Sequence, residues 1–128
     1  MARILVVDDD RDILELVRIH LQREGHQVLT ATDGPVALRA LGLRDVPELA
    51  VLDVNMPEMD GFTLAGQLRD QPGCRDLPVI FLSARCAEQD VASGLGMGAR
   101  YLTKPFMAGA LLHFVETALK ERQVNADW

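Results

Sequence analysis

Short apolar runs recur five times along the chain, and they constrain its fold more than any other feature of the sequence. The runs cover residues 4–7, 28–31, 49–52, 79–82 and 100–103. Two of them, ILVV and LAVL, are apolar at consecutive positions rather than at alternate ones. This pattern is typical of strands that are covered on both faces of a sheet, so the runs predict buried parallel strands.

The stretches between these runs have the spacing of amphipathic helices. Predicted helices span residues 10–24, 33–43, 60–70 and 86–99, and a fifth helix follows the last apolar run. Pro35 suits the first turn of the second helix, Asp60 can cap the third, and Gly25 can end the first in a left-handed conformation. The last helix carries an apolar stripe formed by Leu111, Leu112, Val115, Ala118 and Leu119.

Strand and helix therefore alternate five times, which predicts an α/β fold with a doubly wound parallel sheet and helices on both faces. A chain of 128 residues fits one domain. We expect this domain to span residues 1–122 and a short tail to cover residues 123–128. Met1 directly precedes the first strand and indicates an authentic amino terminus, whereas the tail leaves open whether the chain is a stand-alone protein or part of a longer one.

Composition and charge exclude several classes of protein. The formal net charge of −6 argues against direct binding of nucleic acid, which needs a basic surface. No apolar run approaches the roughly 18 residues of a membrane span, and no cationic leader precedes one. Cys74 and Cys86 lack the spacing of a metal site and are expected to be free thiols in a reducing compartment. We therefore expect a cytoplasmic protein that does not bind membranes.

Polar residues follow four of the five runs directly. They are Asp8, Asp9 and Asp10 after the first run, Asp53 after the third, Ser83 after the fourth and Lys104 after the fifth. No comparable residue follows the second run, as expected for a strand at the edge of the sheet. Ligands of open parallel sheets bind beyond the carboxyl ends of the strands, so these side chains are predicted to converge there.

Converging carboxylates repel one another, and this repulsion indicates a chemistry. Two unit charges about 4 Å apart cost on the order of 4 kcal/mol at an effective dielectric constant near 20. A hard cation such as Mg²⁺ or Mn²⁺ removes the repulsion and prefers carboxylate, carbonyl and phosphate oxygens as ligands. An aspartate at such a site can act as a nucleophile toward phosphorus, while Lys104 and Ser83 can hold anionic oxygens. The pattern predicts phosphoryl transfer to a carboxylate.

Four segments, taken in order, resemble the receiver domain of bacterial two-component response regulators. They are ILVVDDD at the first strand, AVLDVNMPEMDGF at the phosphoacceptor segment, PVIFLSA at the hydroxyl strand and YLTKPF at the lysine turn. The resemblance covers nearly the whole chain and implies the flavodoxin-like (βα)5 fold with strand order 2-1-3-4-5. It implies a signalling phosphoacceptor rather than an enzyme, with a sensor histidine kinase or phosphotransfer protein as donor and an effector protein or domain downstream.

The resemblance also implies roles for the acidic residues. Asp53 would accept the phosphoryl group and contribute to the Mg²⁺ site. Asp9 would bind the metal directly, Asp8 mainly through water, and Asn55 through its backbone carbonyl. The side chains of Asn55 and Arg85 would influence the rate of dephosphorylation.

The remaining residues that the resemblance assigns belong to the switch. Ser83 would bond a phosphoryl oxygen, Lys104 would pair with the phosphate, and Pro105 would follow a cis peptide bond that aims this lysine. Tyr101 would be the switch aromatic, which turns inward when Ser83 moves toward the phosphate. Phosphorylation would remodel the face formed by the fourth helix, fifth strand and fifth helix. The sequence leaves open whether the chain forms a homodimer through these two helices.

Several alternatives stay open at the level of sequence. Asp10 can cap the first helix or contact the site, and Tyr101 can be a plain core aromatic. In a magnesium-dependent phosphatase, Asp8 would be the nucleophile and Asp10 the acid–base, although Asp12 stands where such enzymes have Thr or Val. A degenerate receiver would act as a scaffold without phosphorylation. A calcium loop is rejected because Ile13 stands where that loop needs glycine.

Overall fold

The chain folds into alternating strands and helices in a computed structural model that describes residues 2–41, 46–84 and 99–126. The elements in chain order are β1 (Arg3–Val7), α1 (Arg11–Arg23), β2 (Gln27–Ala31), α2 (Gly34–Leu41), β3 (Leu49–Asp53), α3 (Gly61–Arg69), β4 (Val79–Ser83), β5 (Arg100–Thr103) and α4 (Ala108–Ala126). All five predicted strands and four of the predicted helices are confirmed. The helix predicted over residues 86–99 lies outside the described residues except for Ala99, as do Arg85 and Cys86.

The five strands form one sheet in the order β2-β1-β3-β4-β5. Every neighbouring pair is parallel. This confirms the predicted doubly wound sheet with order 2-1-3-4-5, and it confirms that the second strand lies at an edge. The order places the carboxyl ends of β1 and β3 side by side in the middle of the sheet, with β4 next to β3.

The central strands are apolar at consecutive positions because their side chains alternate between two separate cores. In β1, Ile4 and Val6 belong to the core under α1 and α4, whereas Leu5 and Val7 belong to the core under α2 and α3. All five residues of β3 are buried, and so are all five of β4. Both faces of the sheet are therefore covered, as the sequence pattern predicted.

Local capping fixes where the helices begin and end. Asp10 caps α1 by accepting hydrogen bonds from two backbone N–H groups of the first turn, at 3.0 and 3.3 Å. Asp60 caps α3 by accepting one from the Thr63 amide at 2.7 Å. Gly25 follows α1 with φ of 88°, a conformation that costs glycine little because it lacks a Cβ. The two aspartate caps fix the starts of α1 and α3, which follow the carboxyl ends of β1 and β3 in the chain.

The last helix, α4, carries the apolar stripe that the sequence predicted. Leu111, Val115 and Ala118 are buried, and Leu112 and Leu119 are partly buried against the same core. The helix continues to Ala126, past residue 123, where the tail was expected to begin. In the described parts of the chain, no helix combines the length and the apolar character that crossing a membrane requires.

Candidate functional site

Four polar residues that the sequence places after different strands lie at the carboxyl edge of the sheet. Asp8 follows β1, Asp53 ends β3, Ser83 ends β4 and Lys104 follows β5. Among the described residues, Asp8, Asp53 and Ser83 are the buried polar side chains. Burial of polar groups costs free energy unless they are paired, so their concentration at one point of the fold indicates a functional site.

Three carboxylates form the acidic part of the site. Asp8, Asp9 and Asp53 each offer an oxygen, and these oxygens lie within 4.8 Å of one another. Asp9 and Asp53 border an open cleft of about 510 Å³, whose other lining residues are Asp10, Ile13, Asn55, Ala84 and Lys104. Closely spaced carboxylate oxygens at an open cleft suit Mg²⁺ or Mn²⁺, which prefer oxygen ligands and keep several waters. The residues present therefore fit a divalent metal ion.

Lys104 supplies the positive charge of the site. Its Nζ lies 2.9 Å from Asp8 Oδ2 and 3.3 Å from Asp53 Oδ1. The Lys104 backbone N–H donates a hydrogen bond to the Ser83 carbonyl at 2.7 Å, and the Lys104–Pro105 peptide bond is cis. The lysine is thus held between two carboxylates and the end of β4.

Burial and charge together perturb the ionisation of these groups. Burial and the neighbouring Asp8 carboxylate raise the pKa of Asp53 to about 7, although Lys104 acts against this rise. Burial likewise raises the pKa of Asp8, again against the effect of Lys104. Burial alone would lower the pKa of Lys104, but hydrogen bonding to Asp8 and the charges of both carboxylates raise it. One ammonium group therefore leaves the carboxylates with excess negative charge.

The three consecutive aspartates have different surroundings. Asp8 is fully buried, and its Oδ1 accepts a hydrogen bond from the Asp10 backbone N–H at 2.9 Å. Asp9 is exposed at the cleft. The Asp10 carboxylate accepts hydrogen bonds from the first turn of α1, so Asp10 caps the helix, and the residue also borders the cleft. This geometry opposes the phosphatase alternative, because the Asp10 carboxylate that would be the acid–base is engaged in capping. The nucleophile of that alternative, Asp8, is fully buried and does not line the cleft, whereas Asp53 does.

Ser83 lies on β4, the strand next to that of Asp53, and Tyr101 lies on β5, the strand beyond it. Ser83 ends β4, and the Asn55 side-chain amide donates a hydrogen bond to its Oγ at 3.4 Å. Tyr101 pairs in register with Phe81 and is partly buried against the core under α2 and α3. The resemblance implied a metal-binding role for the backbone carbonyl of Asn55 and an influence of its side chain on dephosphorylation, but no contact with Ser83. The contact of its side chain with Ser83 depends on the path of the loop after β3, which no local pattern specifies.

Two backbone features of this loop were not foreseen from the sequence. Glu58 adopts a φ of 70°, in the left-handed region that side chains rarely occupy. Gly61 lies so close to the end of β3 that a Cβ on it would be 2.4 Å from the Asp53 carbonyl oxygen. The available signal was the glycine directly after the helix cap Asp60, because a glycine at that position allows a close backbone approach.

Comparisons with known proteins agree with this architecture. The sequence model of the response regulator receiver domain matches residues 4–116. Response regulator PleD of Caulobacter vibrioides is 47% identical over 105 residues, which are 81% of this chain and 23% of PleD. Transcriptional regulatory protein PrrA of Mycobacterium tuberculosis is 42% identical over 125 residues, which are 97% of this chain and 52% of PrrA.

Comparison with solved structures also finds response regulators, and one of them matches over nearly its whole length. Chemotaxis protein CheY4 of Vibrio cholerae superposes with a TM-score of 0.86 at 33% identity, covering 93% of this chain and 99% of CheY4. The chain spans about half or less of the length of PrrA and PleD, so the likeness to these two concerns a shared domain. The matched segment contains every polar residue of the site from Asp8 to Lys104. The chain therefore belongs to the response regulator receiver domain family.

Proposed function

We propose that the chain is a phosphoacceptor of two-component signalling and that Asp53 takes the phosphoryl group from a phosphohistidine of a sensor kinase or phosphotransfer protein. One observation carries this proposal: a buried carboxylate whose pKa is raised to about 7 lies 3.3 Å from the Lys104 ammonium and beside two further aspartates. A perturbed nucleophile between a cation and a metal-binding cluster has the parts that phosphoryl transfer requires.

The transfer is a single displacement at phosphorus. A carboxylate oxygen of Asp53 forms the new P–O bond, while the P–N bond of the donor breaks and its imidazole leaves with the electron pair and takes up a proton. The Lys104 ammonium and the Ser83 hydroxyl hold phosphoryl oxygens as negative charge moves toward them. A bound Mg²⁺ supplies further neutralisation of the carboxylates and the phosphoryl group. The chain thus positions and stabilises the group, as a phosphoacceptor does, without turning over a substrate.

The residues that would hold the metal line the cleft. Asp9 is exposed at the cleft and would bind the cation directly, together with Asp53 and the backbone carbonyl of Asn55. Asp8 would act mainly through water, because its Oδ2 already contacts Lys104 at 2.9 Å. Mn²⁺ would serve as well as Mg²⁺, since both prefer oxygen ligands.

Phosphorylation would act on its partners through a population shift. Ser83 would exchange its 3.4 Å contact with Asn55 for a phosphoryl oxygen, and Tyr101 would move inward toward the space it leaves. A shift from 1:99 to 99:1 requires roughly 5.5 kcal/mol of differential binding, which charge-assisted hydrogen bonds to a phosphoryl group can largely supply. An effector protein or domain would read the change on the face that includes β5 and α4, and a homodimer would use α4 with the helix predicted over residues 86–99. A phosphohistidine donor made from ATP would place the reaction in the cytoplasm.

The test is labelling by a small acyl phosphate in the presence of Mg²⁺, followed by intact-mass measurement. We expect one phosphoryl group per chain, stable in acid and labile in base, as for an acyl phosphate. Asp53→Asn is expected to abolish the label because it removes the nucleophilic oxygen with little change in size. Asp60→Asn is the matched control, since Asp60 caps α3 outside the lining of the cleft and asparagine also caps helices.

Three other results would contradict the proposal in different ways. A label that survives Asp53→Asn but is lost in Asp8→Asn would favour the phosphatase. No label on the wild-type chain, with either a small donor or a phosphohistidine donor, would favour the phosphate-independent scaffold. Loss of the label in Asp60→Asn as well would show that the effect is not specific to Asp53.

A further inference from the structure

Gly61, the first residue of α3, lies against the backbone of Asp53 more closely than any side chain allows. A Cβ on Gly61 would lie 2.4 Å from the Asp53 carbonyl oxygen and 3.0 Å from both the Asp53 carbonyl carbon and Val54 Cα. The Gly61 N–H also donates a hydrogen bond to the Val54 carbonyl at 2.9 Å. The atoms in the way belong to the main chain, so a flexible side chain cannot relieve the overlap.

The same stretch of backbone is held from the other side by β4. Asp53 pairs in register with Leu82, and the Val54 N–H donates a hydrogen bond to the Leu82 carbonyl at 2.8 Å. Residues 53 and 54 therefore lie between β4 and the start of α3. A group added at residue 61 must displace the Asp53 backbone, the helix, or both.

Moving α3 away from Asp53 would cost free energy, because it would disturb the helix cap and the packing of the helix. The Asp60 carboxylate accepts the Thr63 N–H at 2.7 Å, which fixes the first turn of α3. Leu64, Ala65 and Leu68 are fully buried in the core under this helix. We therefore expect a side chain at residue 61 to displace the Asp53 backbone as well as the helix.

We propose that Gly61 is a positioning residue for phosphoryl transfer, because it lets α3 dock on the Asp53 carbonyl and so sets the Asp53 carboxylate against its neighbours. The inference rests on the function proposed above. The carboxylate oxygens of Asp8, Asp9 and Asp53 lie within 4.8 Å of one another, and Asp53 Oδ1 lies 3.3 Å from Lys104 Nζ. A displacement of about 1 Å at Asp53 would disturb both the metal ligands and the lysine contact, and reactions of this kind are sensitive to such a shift.

Two other glycines provide matched controls for an added methyl group. Gly66 lies in the same helix, and a Cβ on it would meet nothing within 4 Å. A Cβ on Gly34 would meet the Met59 sulfur at 2.6 Å, which is the flexible end of a side chain. Gly66→Ala therefore adds the methyl without crowding, and Gly34→Ala adds crowding that a side chain can relieve.

The experiment compares Gly61→Ala with these two controls and the wild type. Mn²⁺ affinity is measured by electron paramagnetic resonance, and the phosphorylation rate is measured with a small acyl phosphate at saturating Mg²⁺. We expect Gly61→Ala to weaken Mn²⁺ binding tenfold or more and to slow phosphorylation by a similar factor. The two controls are expected to stay within twofold of the wild type. Circular dichroism verifies that each variant is folded.

A folded Gly61→Ala with wild-type Mn²⁺ affinity and phosphorylation rate would overturn the inference, and so would equal losses in Gly66→Ala. If Gly61→Ala is unfolded in buffer, all four proteins are assayed in trimethylamine N-oxide, which favours compact states. A variant that is still unfolded there also overturns the inference, because the glycine then serves the fold as a whole. A wild type that binds Mn²⁺ but accepts no phosphoryl group refutes the proposed function, while the Mn²⁺ measurement still decides whether Gly61 positions the carboxylates.

Discussion

Ion pairs lie at both ends of the strands, which we call the carboxyl edge and the amino edge of the sheet. The two sets differ in burial and in the ratio of positive to negative side chains. At the carboxyl edge, Lys104 Nζ contacts Asp8 and Asp53, and the three side chains are at most 14% exposed. At the amino edge, Arg3 lies 3.5 Å from Glu48, with side-chain exposures of 45% and 26%. Water and salt screen the second pair strongly and the first pair weakly.

The difference shows that charged residues at the two ends of the strands have different roles: those at one end stabilise the fold, and those at the other end form the candidate site. At the amino edge, the ion pair seen among the described residues joins one cation to one carboxylate. The Glu48 N–H also donates to the Arg3 carbonyl at 2.8 Å, which ties the start of β3 to β1. At the carboxyl edge one ammonium faces two carboxylates, with Asp9 close by. The Arg3–Glu48 pair supports the fold, whereas the cluster at the carboxyl edge has an excess of carboxylates that could hold a metal ion.

The largest effect is expected from Lys104→Met, which keeps the length of the side chain and removes its charge. Two buried carboxylates then lose their counter-charge, which we expect to lower the free energy of unfolding by about 3–5 kcal/mol at pH 8 without divalent ions. Urea denaturation in EDTA measures this loss, and added Mg²⁺ is expected to restore part of it. A loss below about 1 kcal/mol, which is typical of exposed pairs, would show that the buried contacts of Lys104 stabilise the fold no more than the exposed pair at the amino edge does.

The next effect concerns pH in the absence of divalent ions. The folded state raises the pKa of Asp53 from 3.8 to about 7, so it binds this proton more tightly than the unfolded chain does. The cost of the charge is absent below pH 3.8, grows as the pH rises and is complete above about 7. We expect stability to fall by about 2–4 kcal/mol across this range from Asp53 alone.

Urea denaturation from pH 5 to pH 8.5 measures this slope, with Asp53→Asn as the variant that removes it. Asp60→Asn is the control, because it changes an aspartate of α3 that lies outside the cleft lining and should keep the wild-type slope. Parallel pH profiles for the wild type and Asp53→Asn would show that burial of Asp53 does not govern the carboxyl edge.

Much of the carboxyl edge could be predicted from the sequence, because its information is local. A polar residue directly after a buried strand must lie at the strand end, and the alternation of strands and helices makes the strands parallel. Asp53, Ser83 and Lys104 were placed by this argument alone. The capping by Asp10 was harder to predict, because it depends on where α1 begins. The structure shows the Asp10 carboxylate accepting hydrogen bonds from the first turn of that helix.

The features that escaped prediction depend on contacts between distant segments. The approach of Gly61 to Asp53 and the left-handed Glu58 result from the path of the loop between β3 and α3. The Arg3–Glu48 pair joins residues 45 positions apart, and surface ion pairs have no sequence pattern. Such contacts require the assembled fold before they can be recognised.

A smaller effect extends the comparison to the backbone. Turns before β2 and β4, at the amino edge, use glycines at positive φ, Gly25 at 88° and Gly73 at 83°. The loop after β3, at the carboxyl edge, uses Glu58 at 70°. Glu58→Gly is therefore expected to raise the free energy of unfolding by about 1 kcal/mol, and Gly25→Ala to lower it by about 1 kcal/mol. Urea denaturation measures both, and a destabilising Glu58→Gly would show that the side chain contributes more than its conformation costs.

The smallest effect is expected from Arg3→Met, the counterpart of Lys104→Met at the other edge. The exposed pair is worth less than about 1 kcal/mol, and about 0.5 M NaCl should remove most of its contribution. Mn²⁺ affinity and phosphorylation should stay at wild-type values, because Arg3 lies at the opposite end of β1 from Asp8. If Arg3→Met instead cost as much as Lys104→Met in urea denaturation, burial would not be what separates the two edges. The large cost of Arg3→Met would then have to come from hydrogen bonding, such as the 2.9 Å bond from Arg3 Nε to the Val46 carbonyl.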